Sequence, residues 1–161
     1  MIPLVLSTNM RKRPSSRLIV LDPSDRVLLF RFAFDEGPLA GSDFWATPGG
    51  GLEDGESYAE AARRELFQET GIAADIGDEI ARRMVVFTMP EGEQVDADER
   101  YFLVRTANDA VNQDWQEPTE AKHMIAYRWW SLAELRKTAE TVFPENIIAM
   151  VEPHIEPRHP R

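Results

Sequence analysis

The amino-acid sequence predicts an α+β fold or an α-β-α sandwich. Short β-rich runs stand on both sides of one well-capped helix, and further helical signals are confined to the C-terminal part of the chain. A length of 161 residues, with 43% hydrophobic and 29% charged residues, fits one globular domain with its own core. We expect an N-terminal leader over 1–13, a single domain over 14–152 and a flexible tail over 153–161, where prolines recur.

Several short runs rich in β-branched and aromatic residues predict strands. Residues 17–21 and 26–30 flank a turn that contains Pro23, and this arrangement predicts a β-hairpin. Residues 34–43 include two glycines and a proline and predict a surface loop. Further strands are expected over 44–47, 84–88, 101–105 and 126–130, and short C-terminal helices from Ser131 and over 144–151.

One longer helix is predicted over residues 57–70. Ser57 and Glu60 have the spacing of an N-terminal capping box, and Gly71 is a typical helix stop. The apolar face of this helix is narrow and built mostly of small residues, namely Ala59, Ala62 and Leu66, which indicates close packing against a sheet. Just before the helix, Pro48 and the three glycines that follow it predict a turn dominated by backbone.

Composition and net charge exclude some kinds of functional site and argue against some kinds of partner. The absence of cysteine excludes disulfides, zinc–thiolate sites and cysteine nucleophiles. A net charge of −10 argues against binding to nucleic-acid backbones or anionic lipids, so neither a nucleic-acid nor a membrane partner is expected. The basic residues 11–13 follow the apolar residues at the N-terminus, which is the reverse of a secretory signal, and we therefore expect a cytoplasmic protein.

Two glutamates of the predicted helix could carry chemistry. Glu65 and Glu69 lie four residues apart and therefore face the same side of the helix. Two carboxylates one turn apart disfavour a helix unless a positive group lies between them, and either Arg64 or a divalent cation could supply that charge. The glycine turn brings backbone carbonyl and N–H groups to the same place. Spacing alone leaves a simpler alternative open, because such residues usually form a solvated face.

The segment over residues 50–72 resembles the Nudix box, whose pattern is GX5EX7REUXEEXGU with U an aliphatic residue. The matching positions, all at the right spacings, are Gly50, Glu56, Arg64, Glu65, Leu66, Glu69, Gly71 and Ile72. The departure from the pattern is Gln68, where the family usually has glutamate; its amide oxygen can bind a metal but brings no charge. Residues 44–48 are similar to the strand that leads into Nudix boxes, and residues 128–132 are similar to the closing strand and helix of one bacterial Nudix group.

The resemblance implies the Nudix fold, a mixed β-sheet with the box helix packed on it. It also implies a Mg²⁺-dependent enzyme, with Mn²⁺ as a substitute, that hydrolyses the diphosphate linkage of a nucleoside diphosphate joined to another moiety. The implied metal ligands are Glu65, Glu69, Gln68 and the carbonyl of Gly49. The implied catalytic residues are Glu65, Glu69, Arg64 and Glu120, and the implied substrate-binding residues are Gly50, Gly51, Glu56 and Arg31.

Many family members take a further carboxylate from a loop outside the box. Glu99 and Glu120 are the candidates here, and Glu120 leads because it precedes the closing strand; each is alternatively a solvated loop acid. The loops over 34–43 and 94–99 are expected to determine specificity. The substrate stays open among nucleotide sugars, ADP-ribose, dinucleoside polyphosphates, oxidised nucleoside triphosphates and non-nucleoside diphosphates. The expected partner is therefore a small nucleotide-like molecule, and a homodimer is left open.

A second hypothesis is a Nudix-fold nucleotide-binding or regulatory domain with weak or no catalysis. Gln68 favours it, because one acidic ligand of the pattern is missing. Retention of Arg64, Glu65, Glu69 and the glycine turn favours the hydrolase, since a decayed site is expected to lose more than one ligand.

Overall fold

The structure, a computed structural model, describes residues 10–113 and 123–155. Its elements in chain order are β1 (Arg11–Leu21), β2 (Val27–Ala33), β3 (Asp43–Ala46), β4 (Gly49–Gly51), α1 (Tyr58–Thr70), β5 (Glu79–Thr88), β6 (Gln94–Arg105), β7 (Met124–Trp130), α2 (Leu132–Lys137), β8 (Val142–Phe143) and α3 (Ile147–Val151). A 3-10 turn over Glu152–His154 follows α3.

The described strands form one mixed sheet with β1 near its centre. The order along the sheet is β5-β6-β1-β2-β3-β8, with β4 paired to β1 and β7 paired to β2. The pairs β1–β6 and β3–β8 are parallel, and the other pairs are antiparallel. The register Arg17↔Gly49 places the glycine strand β4 directly beside β1. The strand β1 therefore pairs with both β4, which precedes the box helix in sequence, and β6, which follows it.

Buried apolar side chains alternate along β1 and β2, so each face of the sheet carries its own apolar cluster. The cluster beneath α1 includes Leu18, Val20, Leu28, Phe30, Ala62, Leu66 and Trp129. The cluster beneath α2 and α3 includes Ile19, Leu29, Trp45, Trp130, Leu135, Ile147 and Val151. This arrangement confirms the predicted fold, a mixed sheet with the box helix packed on one face and the C-terminal helices on the other.

The box helix α1 has the ends that the sequence predicts. Ser57 Oγ accepts a hydrogen bond from the Glu60 N–H at 3.1 Å, and Glu60 Oε1 accepts one from the Ser57 N–H at 3.3 Å. Gly71 ends the helix in the left-handed region at φ +72°, and its N–H donates to the Phe67 carbonyl at 2.8 Å. Because Ala62 is small and fully buried, the helix axis lies close to β1 and β4.

Two local expectations are wrong. Residues 94–99 are not a loop but the first half of β6, in which Val95, Ala97 and Glu99 are buried and alternate with partly exposed or exposed residues. A half-buried strand is normally recognised by alternation of apolar and polar residues. Here the buried Glu99 is charged like the partly exposed Asp96 and Asp98, so this alternation is not evident in the sequence. The three glycines after Pro48, which were expected to form a turn, instead form the short strand β4 and pair with β1.

The strand β1 extends into the predicted N-terminal leader. β1 begins at Arg11, so the last three residues of the predicted leader belong to the sheet and pair with β6. Residues 1–9 of that leader and residues 156–161 of the predicted tail lie outside the described residues, as does Glu120. Within the described ranges, we find no helix with the length and apolar character required to cross a bilayer.

The tight packing of β4 against β1 predicts a large stability difference between two glycine substitutions. Gly49 and Gly55 both have positive φ angles, +138° and +80°. A Cβ on Gly49 would stand 2.1 Å from the Ser16 carbonyl oxygen, whereas a Cβ on Gly55 meets nothing within 4 Å. We expect Gly55→Ala to cost about 1 kcal/mol from backbone strain alone, and Gly49→Ala about 3 kcal/mol or more.

Urea denaturation of both variants and the wild-type protein measures this difference in the free energy of unfolding. Equal losses for the two variants would contradict the close packing of β4 against β1.

Candidate active site

The glycine strand β4 brings bare backbone against two carboxylates of α1. The Gly49 N–H donates to Glu69 Oε1 at 3.2 Å. A Cβ on Gly50 would stand 2.6 Å from Glu65 Oε1, so only glycine leaves this carboxylate in place. The sequence predicted that the turn and the two glutamates meet, and the structure brings them together.

Both of these carboxylates are buried. Glu65 and Glu69 are each 4% exposed, and the residues that follow them on the helix, Leu66 and Thr70, are buried as well. Glu65 Oε1 accepts a hydrogen bond from Arg64 Nη1 at 2.9 Å. Within the described residues, the other oxygen, Glu65 Oε2, is buried and accepts no hydrogen bond. A buried carboxylate oxygen without a donor is costly, and a hard divalent cation is the type of group that compensates for it.

Arg64 holds the acidic residues of the box in position. Its Nε and Nη2 atoms donate to the two carboxylate oxygens of Glu56 at 2.7 and 2.9 Å, and Nη2 also donates to the Gly51 carbonyl at 3.1 Å. The hydrogen bond from Arg64 holds the pKa of Glu56 below its usual range, and the same bond raises the pKa of Arg64. Glu56, for which the resemblance implies substrate binding, thus has both carboxylate oxygens bound to Arg64 and braces the β4–α1 connection.

Gln68 lies beside this group and lines the same cavity. Its side-chain oxygen accepts a hydrogen bond from Arg64 Nη1 at 3.3 Å, which leaves the amide N–H₂ and one oxygen lone pair for other partners. Among the described residues, no group of three or more His, Cys, Asp or Glu side chains is arranged to hold a metal ion. Of the three α1 side chains predicted as metal ligands, Glu65 and Gln68 line the cavity, whereas Glu69 lies against the Gly49 N–H.

A cavity of about 730 Å³ opens above these groups, with walls of opposite charge. Glu56, Glu65 and Gln68 form one side, and the start of β1, with Arg11, Lys12 and Arg13, forms the other. This basic wall was not predicted from the sequence, because residues 11–13 were expected in an N-terminal leader. The run of three basic residues was the available signal, but its position depends on the pairing of β1 with β6.

The three basic residues differ in their partners. Arg11 pairs with Glu93 at 2.8 Å, and Lys12 pairs with Asp96. Arg13 donates to Ser15 Oγ at 3.0 Å and lies over the Phe87 ring at 5.5 Å, and no carboxylate of the described residues forms an ion pair with it. Burial lowers the pKa of Arg13, and the nearby charges of Arg17 and Arg11 lower it further. Arg13 is therefore a cavity-lining cation that an anion would stabilise.

Two other predicted site residues, Glu99 and Arg31, do not line the cavity. Glu99 is 6% exposed and accepts hydrogen bonds from Arg17 Nε at 3.0 Å and from the Tyr101 hydroxyl at 3.2 Å, so it is part of a buried network rather than a loop acid. Arg31 pairs with Asp43 at 2.6 Å and is not among the residues that line the cavity. Glu120 falls outside the described residues.

The fold agrees with the family that the sequence resembles. The NUDIX domain family matches residues 11–151, and the chain belongs to this family. The resemblance that rests on residues 50–72 is thereby confirmed.

Curated relatives carry the name RNA pyrophosphohydrolase. The one from Erythrobacter litoralis is 33% identical over 104 residues, which cover 50% of this chain and 63% of the relative. The one from Novosphingobium aromaticivorans is 29% identical over 129 residues, covering 73% and 76%. The chain thus spans less than two thirds of the length of the first of these relatives.

Solved structures share the fold. The MutT protein from Methanosarcina mazei Go1 is similar with a TM-score of 0.66 and 23% identity, covering 90% of this chain and 94% of the other. The NUDIX domain of Shewanella oneidensis NrtR, solved in complex with ADP ribose, gives a TM-score of 0.61 and 15% identity, covering 94% and 93%. At these identities the likeness is one of fold.

The Arg64–Glu56 pair predicts a pH-dependent contribution to stability. Because the pKa of Glu56 in the folded chain lies below its ordinary value of 4.5, the contribution is fully present above that value and is lost as the pH falls through the lower folded pKa. We expect Glu56→Gln to cost about 2 kcal/mol near neutral pH, since charged hydrogen bonds are removed. The difference between this variant and the wild type should shrink below pH 4.5.

Chemical denaturation over a pH series measures this difference, with the exposed Glu140→Gln as the control expected to show none. A difference that stays constant through the acid range would rule out the Arg64–Glu56 pair as its source.

Proposed function

We propose that the chain hydrolyses a diphosphate linkage in a nucleotide-like substrate and that it requires Mg²⁺. The observation that carries this proposal is Glu65, a buried carboxylate whose Oε2 accepts no hydrogen bond within the described residues. It lies on the wall of a cavity whose opposite wall is basic. A divalent cation at Glu65 and a phosphate chain along the basic wall would compensate the charges of both walls.

The residues that would hold the cation are on α1. Glu65 and Glu69 offer carboxylate oxygens, and Gln68 offers an amide oxygen. When bound, the ion offsets the negative charge of the diphosphate and lowers the pKa of a bound water. Arg64 keeps Glu65 oriented through a charge-assisted hydrogen bond, and the Gly50 backbone limits the positions that this carboxylate can adopt.

The basic wall supplies the contacts to the substrate's phosphates. Arg13 is the residue best placed for this role, because it lines the cavity without a carboxylate partner among the described residues. A guanidinium can donate two parallel hydrogen bonds to one phosphate and thereby fix its orientation. Arg11 and Lys12 would have to exchange their present partners, Glu93 and Asp96, before they bind a phosphate.

Two substrate classes deserve priority. The net charge of −10 favours a small nucleotide that approaches together with its metal ions over a long polyanion. The name RNA pyrophosphohydrolase, carried by several relatives, favours the 5′ end of an RNA chain, which presents a di- or triphosphate of the same chemistry. The same name favours the hydrolase over the alternative, a nucleotide-binding or regulatory domain with little catalysis.

The first experiment measures phosphate and pyrophosphate release from a panel of substrates. The panel contains nucleoside triphosphates, nucleotide sugars, ADP-ribose, dinucleoside polyphosphates and a short 5′-triphosphorylated RNA, each with Mg²⁺, with Mn²⁺ and with EDTA. We expect turnover only with metal, and Glu65→Gln and Glu69→Gln to lower kcat roughly 100-fold or more, since each removes a charge that stabilises the transition state.

Glu140→Gln is the matched control, because it makes the same chemical change at an exposed position. Turnover that persists in EDTA, or that survives both box substitutions, would sink the proposal. Measurable nucleotide binding without turnover of any panel member would instead support the binding-domain alternative.

The proposed phosphate contact of Arg13 can be tested by comparing a substitution of Arg13 with the same substitution of Lys12. Arg13→Met is expected to raise KM roughly tenfold or more, because it removes charge-assisted hydrogen bonds to a phosphate. Lys12→Met, at a side chain that is 75% exposed and paired with Asp96, should change KM less than about fivefold. Steady-state kinetics on the best panel substrate supply both values. Equal effects of the two substitutions on KM would argue against a specific role for Arg13.

A further inference from the structure

The Gly49 carbonyl, which the family resemblance implies as a metal ligand, already has a cationic partner. Arg17 Nη1 donates to this oxygen at 3.2 Å and lies 3.5 Å from the Thr47 carbonyl. Arg17 stands opposite Gly49 in the β1–β4 register, so the backbone of both strands fixes the approach. A guanidinium is therefore built into the place where a backbone ligand would meet a cation.

This guanidinium cannot easily leave. Arg17 Nε donates to Glu99 Oε2 at 3.0 Å, and both side chains are largely buried, with exposures of 19% and 8%. The other oxygen of Glu99 accepts a hydrogen bond from the Tyr101 hydroxyl at 3.2 Å and lies 3.4 Å from Arg83 Nε. Withdrawal of Arg17 would leave Glu99 with one charged partner fewer in a buried setting, which is strongly unfavourable.

The position of Arg17 also affects the carboxylates of α1. Its charge interacts with Glu69, whose Oε1 accepts a hydrogen bond from the N–H of the same residue, Gly49. A dication bound to the Gly49 carbonyl would lie next to this guanidinium, and like charges at such short range repel strongly in a buried site. Gln68 adds no negative charge to offset that repulsion.

We propose that this site holds a single divalent cation, at Glu65 and Glu69, and that the guanidinium of Arg17 stands in place of a second cation at the Gly49 carbonyl. Arg17 is thus a positioning residue, which fixes the glycine strand and supplies a permanent positive charge. The inference rests on the proposed function, because it concerns the metal centre of the same active site.

The experiment is a titration with Mn²⁺ in the absence of substrate, in which electron paramagnetic resonance measures the free ion. The variants are Gln68→Glu, which restores the missing acid, and the triple substitution Arg17→Met/Glu99→Gln/Gln68→Glu, which also removes the buried ion pair. We expect one Mn²⁺ per chain for the wild type. Gln68→Glu should still bind one ion, roughly tenfold more tightly, and the triple variant should bind two.

Two ions on the wild-type protein, or two on Gln68→Glu while Arg17 is present, would overturn the inference and leave the proposed function standing. One ion on a folded triple variant, checked by circular dichroism, would also overturn it. No bound Mn²⁺ on the wild type would count against the metal dependence of the proposed function itself. The wild type and Gln68→Glu keep the buried ion pair, so they test the inference even where the triple variant does not fold.

Discussion

The remainder of the site depends on the close contact between the three-glycine strand β4 and the carboxylates of α1. At Gly50 a single added carbon would displace Glu65, and at Gly49 it would collide with the backbone of β1. The same strand pairs with β1, whose first residues form the opposite wall of the cavity. The absence of side chains in β4 therefore places an acidic helix face and a basic strand on either side of one space.

The net negative charge of the chain does not reflect the site, where arginines lie next to the buried acidic residues. The chain carries a net charge of −10, yet arginines surround its buried acids. They differ in what they can still bind: Arg64 is bound to Glu56 and Glu65, Arg17 is bound to Glu99 and the Gly49 carbonyl, and Arg13 has no carboxylate partner among the described residues. The first two maintain the geometry of the site, and the third is left to meet an anion.

Local signals made the helix and its carboxylates predictable from the sequence. The capping box, the stop at Gly71 and the spacing of Glu65 and Glu69 depend on neighbours within one or two turns. The basic wall and the network around Glu99 were not predictable, because both depend on the parallel pairing of β1 with β6. Residues 94–99 were misassigned for the same reason, since an inward-facing glutamate is explained only by its ion pair with Arg17, which comes from the neighbouring strand.

The parallel pairing of β1 with β6 has a consequence for how the chain acquires its structure. It extends along the whole of β1, from Arg11↔Val95 to Leu21↔Arg105, and β4 and α1 lie between these strands in sequence. A chain emerging from the ribosome cannot complete the central strand until β6 has been synthesised, so the cavity walls assemble late. Contacts between such distant segments slow folding, and the exposed edge of β1 is open to wrong partners in the meantime.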